Sequence, residues 1–307
     1  MLLLWPSSAL AAPATVPAEA DAEAASAWWP EMENTWVPIG WKDHPLRFNV
    51  LYNGTLIAQP VRYPARGQGV QLAFVPSRSG DPPAGTTTQP YQLRAGDGGV
   101  GEQGWTDNPA PVLWTRLTRD GVVLRQEVFA HLPGGGPVKT GSEPLFAWIR
   151  LSVEKSASAG AFTLIRVNAP HIQTEMDRHK NLIVLPAKSA YPHPLRLEAT
   201  TGRPAHLLLD DGGRVRLAVA PERPATVTFI DLRPARPDTY LTLGPTAVGE
   251  HVDLLVPLVP APRETVEAEL ALGRDSALRE ADRFWAAVPE TASHVDTPEP
   301  LINNAIR

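Results

Sequence analysis

Hydrophobic and polar residues alternate over short stretches between residues 46 and 259, and turn-forming residues separate these stretches. In the stretch FAWIRLSV, residues 146–153, successive side chains can point to opposite faces of a sheet that is packed on one side. The alternation therefore predicts strands. Those outside recognisable hairpins are 70–75, 145–153, 162–168, 182–185, 195–199, 226–232 and 252–259.

Three turn motifs join further strands into hairpins. Asn53-Gly54 lies between 46–52 and 55–61 and is typical of a type I′ turn, because both residues tolerate positive φ values. Two more hairpins are predicted around Asp120-Gly121 (strands 112–118 and 122–131) and around residues 210–213 (strands 206–209 and 214–219). So many strands without an intervening helix predict a mainly β fold, a large antiparallel β-supersandwich.

Near residue 263 the apolar spacing changes from every second residue to the period of about 3.6 residues that marks a helix. A short helix is predicted over 264–272, and Gly273 ends it. Asp275 is predicted to cap a second helix with one apolar face. That face consists of Ala277, Leu278, Ala281, Phe284, Trp285 and Val288.

The sequence TPE at 297–299 has the cap, first-turn proline and first-turn acid that open a helix. Its apolar side would consist of Leu301, Ile302, Ala305 and Ile306. Because a protein rarely ends within the first two turns of such a helix, we expect a C-terminal domain to follow Arg307.

The first residues, 1–12, are apolar, and Ala9 and Ala11 have the spacing of a signal-peptide cleavage site. This apolar run is too short to span a bilayer. Residues 13–27 are mostly Ala, Glu and Pro and predict a disordered linker. We therefore expect export to the periplasm or the cell exterior.

Composition limits the classes of function. Lys and Arg total 28 against 33 Asp and Glu, a net charge of −5, so no basic excess exists to bind nucleic acid. The chain has no cysteine, which excludes thiol catalysis, disulfides and thiolate metal sites. The 33 prolines favour short elements with firm ends, as in an all-β fold.

The stretches DSALREADRFW at 275–285 and TPEPLINNAIR at 297–307 carry a resemblance to a known group. They are similar to the connector of six-hairpin glycosidases, in which a helix ending in Phe-Trp leads through a Pro-Glu turn into an α/α toroid. The group includes bacterial α-L-rhamnosidases, glucoamylase-like enzymes, glycoside phosphorylases and glycogen-debranching-type proteins. Many members place a β-supersandwich before the toroid.

The patterns and the resemblance together predict five parts in the chain. After the signal-peptide-like segment and the linker come the supersandwich (28–262), a helical connector (263–289) and the start of a toroid domain (290–307). The catalytic carboxylates of the group lie in the toroid, so the resemblance carries no catalytic residue over to this chain.

Candidate catalytic and metal sites within the chain are poor. Hydrolysis of a glycosidic bond needs two carboxyl groups on either side of a sugar, and Glu31 with Glu33 are too close in sequence to provide that gap. Asp210 and Asp211 fit a turn. A group with metal-ligand chemistry, comprising His171, Glu175, Asp177 and His179, matches no known ligand spacing and is interpreted as a loop. We expect no metal and no cofactor.

The segment WWPEMENTWVPIGWKDH, residues 28–44, holds four of the nine tryptophans. If a sugar binds there, Trp36 and Trp41 would stack on its C–H faces, and Asp43 and His44 would bond to its hydroxyls. The alternative is that the tryptophans clamp this entry segment onto the sandwich.

Together these observations predict a non-catalytic N-terminal β-sandwich of an exported carbohydrate-active enzyme, a glycoside hydrolase or phosphorylase. It would pack on and shape a catalytic toroid, and the 307-residue chain alone would be inactive. Its expected partners are that C-terminal domain and carbohydrate. The alternative is a free-standing carbohydrate-binding or envelope-associated structural β-sandwich.

Overall fold

A computed structural model of the protein describes residues 36–51, 53–58, 69–82, 102–158, 160–168, 173–176, 182–185, 194–201, 204–223, 225–231 and 239–287. The signal-peptide-like segment, the predicted linker, residues 28–35 and the helix predicted after Thr297 lie outside these residues. No helix among the described residues is long and apolar enough to cross a membrane.

Strands dominate the described residues, and two helices follow them. The strands are β1 (Trp36–Gly40), β2 (Arg47–Leu51), β3 (Leu56–Ala58), β4 (Val70–Ser77), β5 (Gln103–Trp105), β6 (Leu113–Arg119), β7 (Val122–His131), β8 (Phe146–Lys155), β9 (Ala161–Asn168), β10 (Gln173–Met176), β11 (Leu182–Leu185), β12 (Leu195–Ala199), β13 (His206–Asp210), β14 (Val215–Pro221), β15 (Thr226–Asp231), β16 (Thr239–Thr246) and β17 (His251–Pro257). The helices are α1 (Arg263–Leu272) and α2 (Arg274–Ala286).

The strands form two large antiparallel sheets. One has seven strands in the order β1-β2-β3-β4-β9-β16-β15, and the other has eight in the order β12-β13-β14-β17-β8-β7-β6-β5. A separate two-stranded sheet pairs β10 with β11. The mainly β prediction is therefore confirmed.

The alternation along β7 shows how the two sheets face each other. Gln126 is buried and its Nε2 donates to the carbonyl of Gly54, in the β2–β3 turn of the other sheet, at 3.0 Å. Leu124 and Val128 share that face of β7 and are also buried. They join a single core with residues of the seven-stranded sheet such as Phe48. The two sheets thus form a β-sandwich.

The other face of β7 carries the helices. Glu127, Phe129 and His131 lie on that face because strand residues alternate, and each contacts a residue of α1 or α2. The helices therefore pack on part of the outer face of the eight-stranded sheet.

All seven strands predicted outside hairpins are found, with ends within about two residues of the expected positions, as is common for element boundaries. The sequence did not indicate four of the observed strands, β1, β5, β10 and β16. Of these, β10 includes Glu175, which the sequence placed in a loop.

The three predicted hairpins are present, but the first turn begins one residue early. The N–H of Gly54 donates to the carbonyl of Leu51 at 2.9 Å, and the N–H of Leu51 donates to the carbonyl of Thr55. A type I′ turn centred on Asn53-Gly54 would instead begin at residue 52, so the predicted turn type is wrong. Gly54 has φ 75°, as in three-residue hairpin loops that place a left-handed glycine last.

The second hairpin has the predicted two-residue loop. Asp120 and Gly121 both have positive φ, 51° and 74°, and Arg119 pairs with Val122. This geometry is that of a type I′ turn, which matches the twist of the two strands.

The first two predicted helices are confirmed except for the cap, whereas the one predicted after Thr297 is outside the described residues. Gly273, with φ 79°, separates α1 from α2, and no side chain caps α2. Asp275 lies inside the first turn, where its carboxylate contacts Arg150 at 3.2 Å and Arg274 at 3.3 Å. The predicted cap is therefore wrong, although a carboxylate in the first turn still stabilises a helix through its dipole.

Candidate functional site

Trp41 lies where the β1–β2 connection meets the end of α2. Its side chain is buried, with 3% exposed, and its indole N–H donates to the carbonyl of Gly136 at 2.9 Å. One contact is a stack on Phe284 at 4.4 Å between ring centroids, and another is an edge contact with His131 at 6.0 Å. Trp41 therefore attaches the entry segment to both the β7–β8 loop and α2.

His44 contacts the same loop further along. Its Nδ1 lies 3.1 Å from the backbone nitrogen and 3.0 Å from the carbonyl oxygen of Leu46. Its Nε2 lies 3.2 Å from the carbonyl oxygen of Glu143. Trp41 and His44 thus hold the β7–β8 loop at two points, Gly136 and Glu143.

The four residues predicted to bind sugar are placed differently from one another. Asp43 is exposed in a turn with φ 64°, and Trp36 is in β1 with a side chain outside the described part. For Trp41 the packing fits the alternative, a clamp on the sandwich. Sugar contact by this segment remains a prediction.

Glu143 organises the β7–β8 loop from within. Its carboxylate accepts the backbone N–H groups of Lys139, Thr140 and Gly141, each at 2.8 Å. These hydrogen bonds, with that of Thr140 first, lower the pKa of Glu143 to about 2. These three bonds are therefore strongest while the carboxylate is charged.

A buried polar cluster joins β7 to both helices. His131 is fully buried, and its Nδ1 lies 2.6 Å from Oε1 of Glu269 in α1. On the other side of the ring, Nε2 lies 3.2 Å from Oε2 of Glu280 in α2. Trp148 Nε1 also donates to Glu269, at 2.8 Å.

The sequence did not indicate this cluster, since both carboxylates lie more than a hundred residues from His131. Both ring nitrogens of His131 thus face a carboxylate oxygen, one from each helix. Glu269 is buried and cannot reach a substrate. The cluster thus differs from a glycosidase pair, which needs both carboxyls at the sugar.

A second ionic network holds the start of α2 on the sheet. Arg274 is buried, and its guanidinium donates to Glu127 at 2.8 Å and lies over the ring of Phe129. Burial lowers the pKa of Arg274, and the nearby positive charge of Arg150 lowers it further. Arg150 in turn makes a two-pronged contact with Asp253, at 2.8 Å for each bond.

Asp210 has a larger role than a turn residue. As the sequence predicted, its Oδ1 accepts a local backbone N–H, that of Arg214, at 2.9 Å. Its Oδ2 also accepts from Nε of Arg216 at 2.8 Å, and both side chains are buried. This ion pair fixes the β13–β14 hairpin and has no access to a ligand.

The remaining candidate residues give no site in the described part of the chain. Glu31, Glu33, His171, Asp177 and His179 lie outside it. Within the described ranges there is no group of three or more His, Asp or Glu residues that could hold a metal ion.

A cleft of about 530 Å³ opens beside His44. Its walls come from the β1–β2 connection, the β7–β8 loop and the link from β17 to α1, and they include His44, Leu46, Leu145, Leu258 and Pro260. The volume is within the range of small-molecule sites, about 300 to 1,000 Å³. Both nitrogens of His44 and the carboxylate of Glu143 already have partners, so the cleft offers mainly apolar contact.

No protein-family model matches this chain, and the curated proteins include no significant relative of it.

Proposed function

We propose that this chain is the N-terminal β-sandwich of an exported carbohydrate-active enzyme, of glycoside hydrolase or phosphorylase type. It would pack on a C-terminal toroid and shape its active site without doing chemistry itself. The observation that carries the proposal is the attachment of the α1–α2 helical hairpin to the sandwich. His131 and Glu127 bind three residues of these helices through buried or half-buried polar contacts.

This attachment gives the hairpin one fixed position on the sheet. Removal of one partner from a buried ion pair costs about 3 to 5 kcal/mol of folding free energy. Separation of the helices from the sheet would therefore be strongly unfavourable. A domain that follows α2 would therefore start from a rigid base, as a connector between two packed domains requires.

The apolar face of α2 also suits a second partner. Ala277 and Ala281 are fully buried on the sandwich, but Leu278, Phe284 and Trp285 are only partly buried. Trp285 touches Trp41 and Phe284 by ring edges, at 6.2 and 5.7 Å between centroids. A packed toroid would cover the rest of these rings.

The test compares the 307-residue chain with the product of its natural gene. We expect an antibody against residues 36–287 to detect a longer chain that cleaves glycosides, while the 307-residue chain shows no turnover above background. We expect Trp285→Ala to destabilise the longer protein by about 3 to 5 kcal/mol, as for other aromatic truncations in cores, and the 307-residue chain by less.

Equal losses in both proteins would contradict the proposal, as would turnover by the 307-residue chain that a carboxylate substitution within it abolishes.

The second candidate is a free-standing carbohydrate-binding or envelope-associated sandwich. It is favoured by the packing of α1 and α2 on the outer sheet face, because these helices bury apolar side chains without a further domain. Val266 and Leu270 of α1 are buried there together with Ala277. This second function predicts a natural product of 307 residues or fewer and equal losses.

A further inference from the structure

A small open pocket lies between the β7–β8 loop and the last turns of α2. Its volume is about 270 Å³, and it is lined by Gly134, Gly135, Glu280, Arg283 and Phe284. This is just below the range of about 300 to 1,000 Å³ for sites that hold drug-sized ligands. The space therefore suits one ring-sized group rather than a long chain.

The side chain of Glu280 is held in place by a contact with His131. Oε2 of its carboxylate lies 3.2 Å from Nε2 of the fully buried His131, and the other ring nitrogen is held by Glu269. About a fifth of the Glu280 side chain, 21%, is exposed. Among the described residues His131 is the only hydrogen-bond partner of this carboxylate, so its second oxygen is available to a ligand.

The two glycines make this approach of loop and helix possible. A Cβ atom on Gly135 would lie 2.8 Å from Cβ of Glu280, closer than such atoms approach in proteins. A Cβ atom on Gly134 would meet no atom within 4 Å, because it would point into open space. Both residues have positive φ, 86° and 59°, which glycine adopts without strain.

The charges around the pocket balance. Of the residues that line it, Glu280 supplies one negative charge and Arg283 one positive charge. The binding of an ion at such a site would therefore gain little electrostatic free energy. Arg283 is exposed and uses Nε on the carbonyl of Arg279, at 3.3 Å, which leaves its terminal N–H groups as donors.

A neutral hydroxylated ligand matches this set of groups. A hydroxyl group both donates and accepts, so neighbouring hydroxyls can donate to Glu280 and accept from Arg283. Phe284 adds an apolar wall for C–H groups, and its ring is held by the stack on Trp41. The groups that line the pocket therefore suit a ring that has hydroxyl groups at its edge and an apolar face.

We propose that this pocket is a binding subsite for one neutral sugar residue, with Glu280 and Arg283 as its hydrogen-bonding pair and Phe284 as its apolar wall. The choice of sugars among neutral hydroxylated rings rests on the proposed function. The site lies outside segment 28–44, on which the sequence placed carbohydrate contact.

The test is a titration of the 307-residue chain with glucose, galactose, mannose and rhamnose, followed through the backbone amide NMR signals of Gly134 and Gly135. We expect at least one sugar to shift both signals with a dissociation constant of about 1 mM. Glu280→Gln and, separately, Arg283→Ala should each weaken that affinity about tenfold, which corresponds to the loss of about 1.4 kcal/mol.

The matched control is Glu264→Gln, since Glu264 is an exposed glutamate in the first turn of α1. It should leave the affinity unchanged. If the Glu280→Gln variant does not fold, Arg283→Ala still tests the subsite, because Arg283 is exposed. Absence of any shift at Gly134 and Gly135, or shifts that neither site variant weakens, overturns the subsite. Neither result bears on the comparison of Trp285→Ala in the two proteins, so the proposed function is judged separately.

Discussion

Trp41 and Phe284 stack with their ring centroids 4.4 Å apart and their planes 19° apart, although 243 positions separate them in the sequence. Trp41 follows the first strand of one sheet, and Phe284 lies in the last turn of the helix on the other sheet. This stack therefore ties the beginning of the described sandwich to its end.

Replacement of Trp41 with alanine should lower the free energy of unfolding by about 3 to 5 kcal/mol, because it removes a buried ring and its bond to the loop carbonyl of Gly136. Chemical denaturation measures the loss. A double-mutant cycle with Phe284→Ala should give a coupling of about 0.5 to 1.5 kcal/mol for the stack. Additive losses would show that the two rings do not stabilise each other.

The buried cluster predicts a large effect at His131. His131→Phe should destabilise the protein by about 3 to 5 kcal/mol, because the carboxylate of Glu269 would remain buried without the ring that it contacts. Adding Glu269→Gln should recover much of the loss, since a neutral amide oxygen can still accept from Trp148. Equal stability of the single and double variants, measured in urea, would contradict this account.

At Gly54 we predict strain and a clash together. Gly54→Val should cost about 1 to 3 kcal/mol from backbone strain alone, since φ is 75° there. A Cβ atom would also lie 2.5 Å from Oε1 of the buried Gln126. Gly249→Val is the control, because Gly249 has φ 88° but open space around it. Thermal unfolding should show the larger loss at Gly54, and equal losses would exclude the clash.

The β7–β8 loop should respond to acid. The folded-state pKa of Glu143 is about 2, below its ordinary value of 4.5, so its stabilising bonds are fully present above pH 4.5. They are lost as the pH falls through the folded value of about 2. The side-chain carboxyl signal of Glu143 in an NMR titration should have its midpoint near pH 2, and Glu143→Ala should remove the amide protection of Thr140 and Gly141. A midpoint near 4.5 would mean that the three backbone bonds do not form.

The sequence predicted the parts of the fold that depend on local forces. Alternation fixes which strand residues are buried, and Asp120-Gly121 tolerates the backbone angles of its turn. Short stretches of sequence were therefore enough to predict the strands and hairpins. Gly273 likewise separates the two helices through its own backbone freedom. The early turn at Gly54 was missed because the same dipeptide suits two hairpin loops that differ by one residue.

Only the tertiary structure decided where the chemistry lies. His131 was one polar residue at the end of a strand in the sequence, yet the fold places it between carboxylates 138 and 149 positions away. Asp275 looked like a helix cap, but Gly273 takes that place and Asp275 pairs with arginines instead. Local sequence determines backbone angles and the side that a residue faces, whereas contacts between distant residues depend on how the sheets and helices pack together.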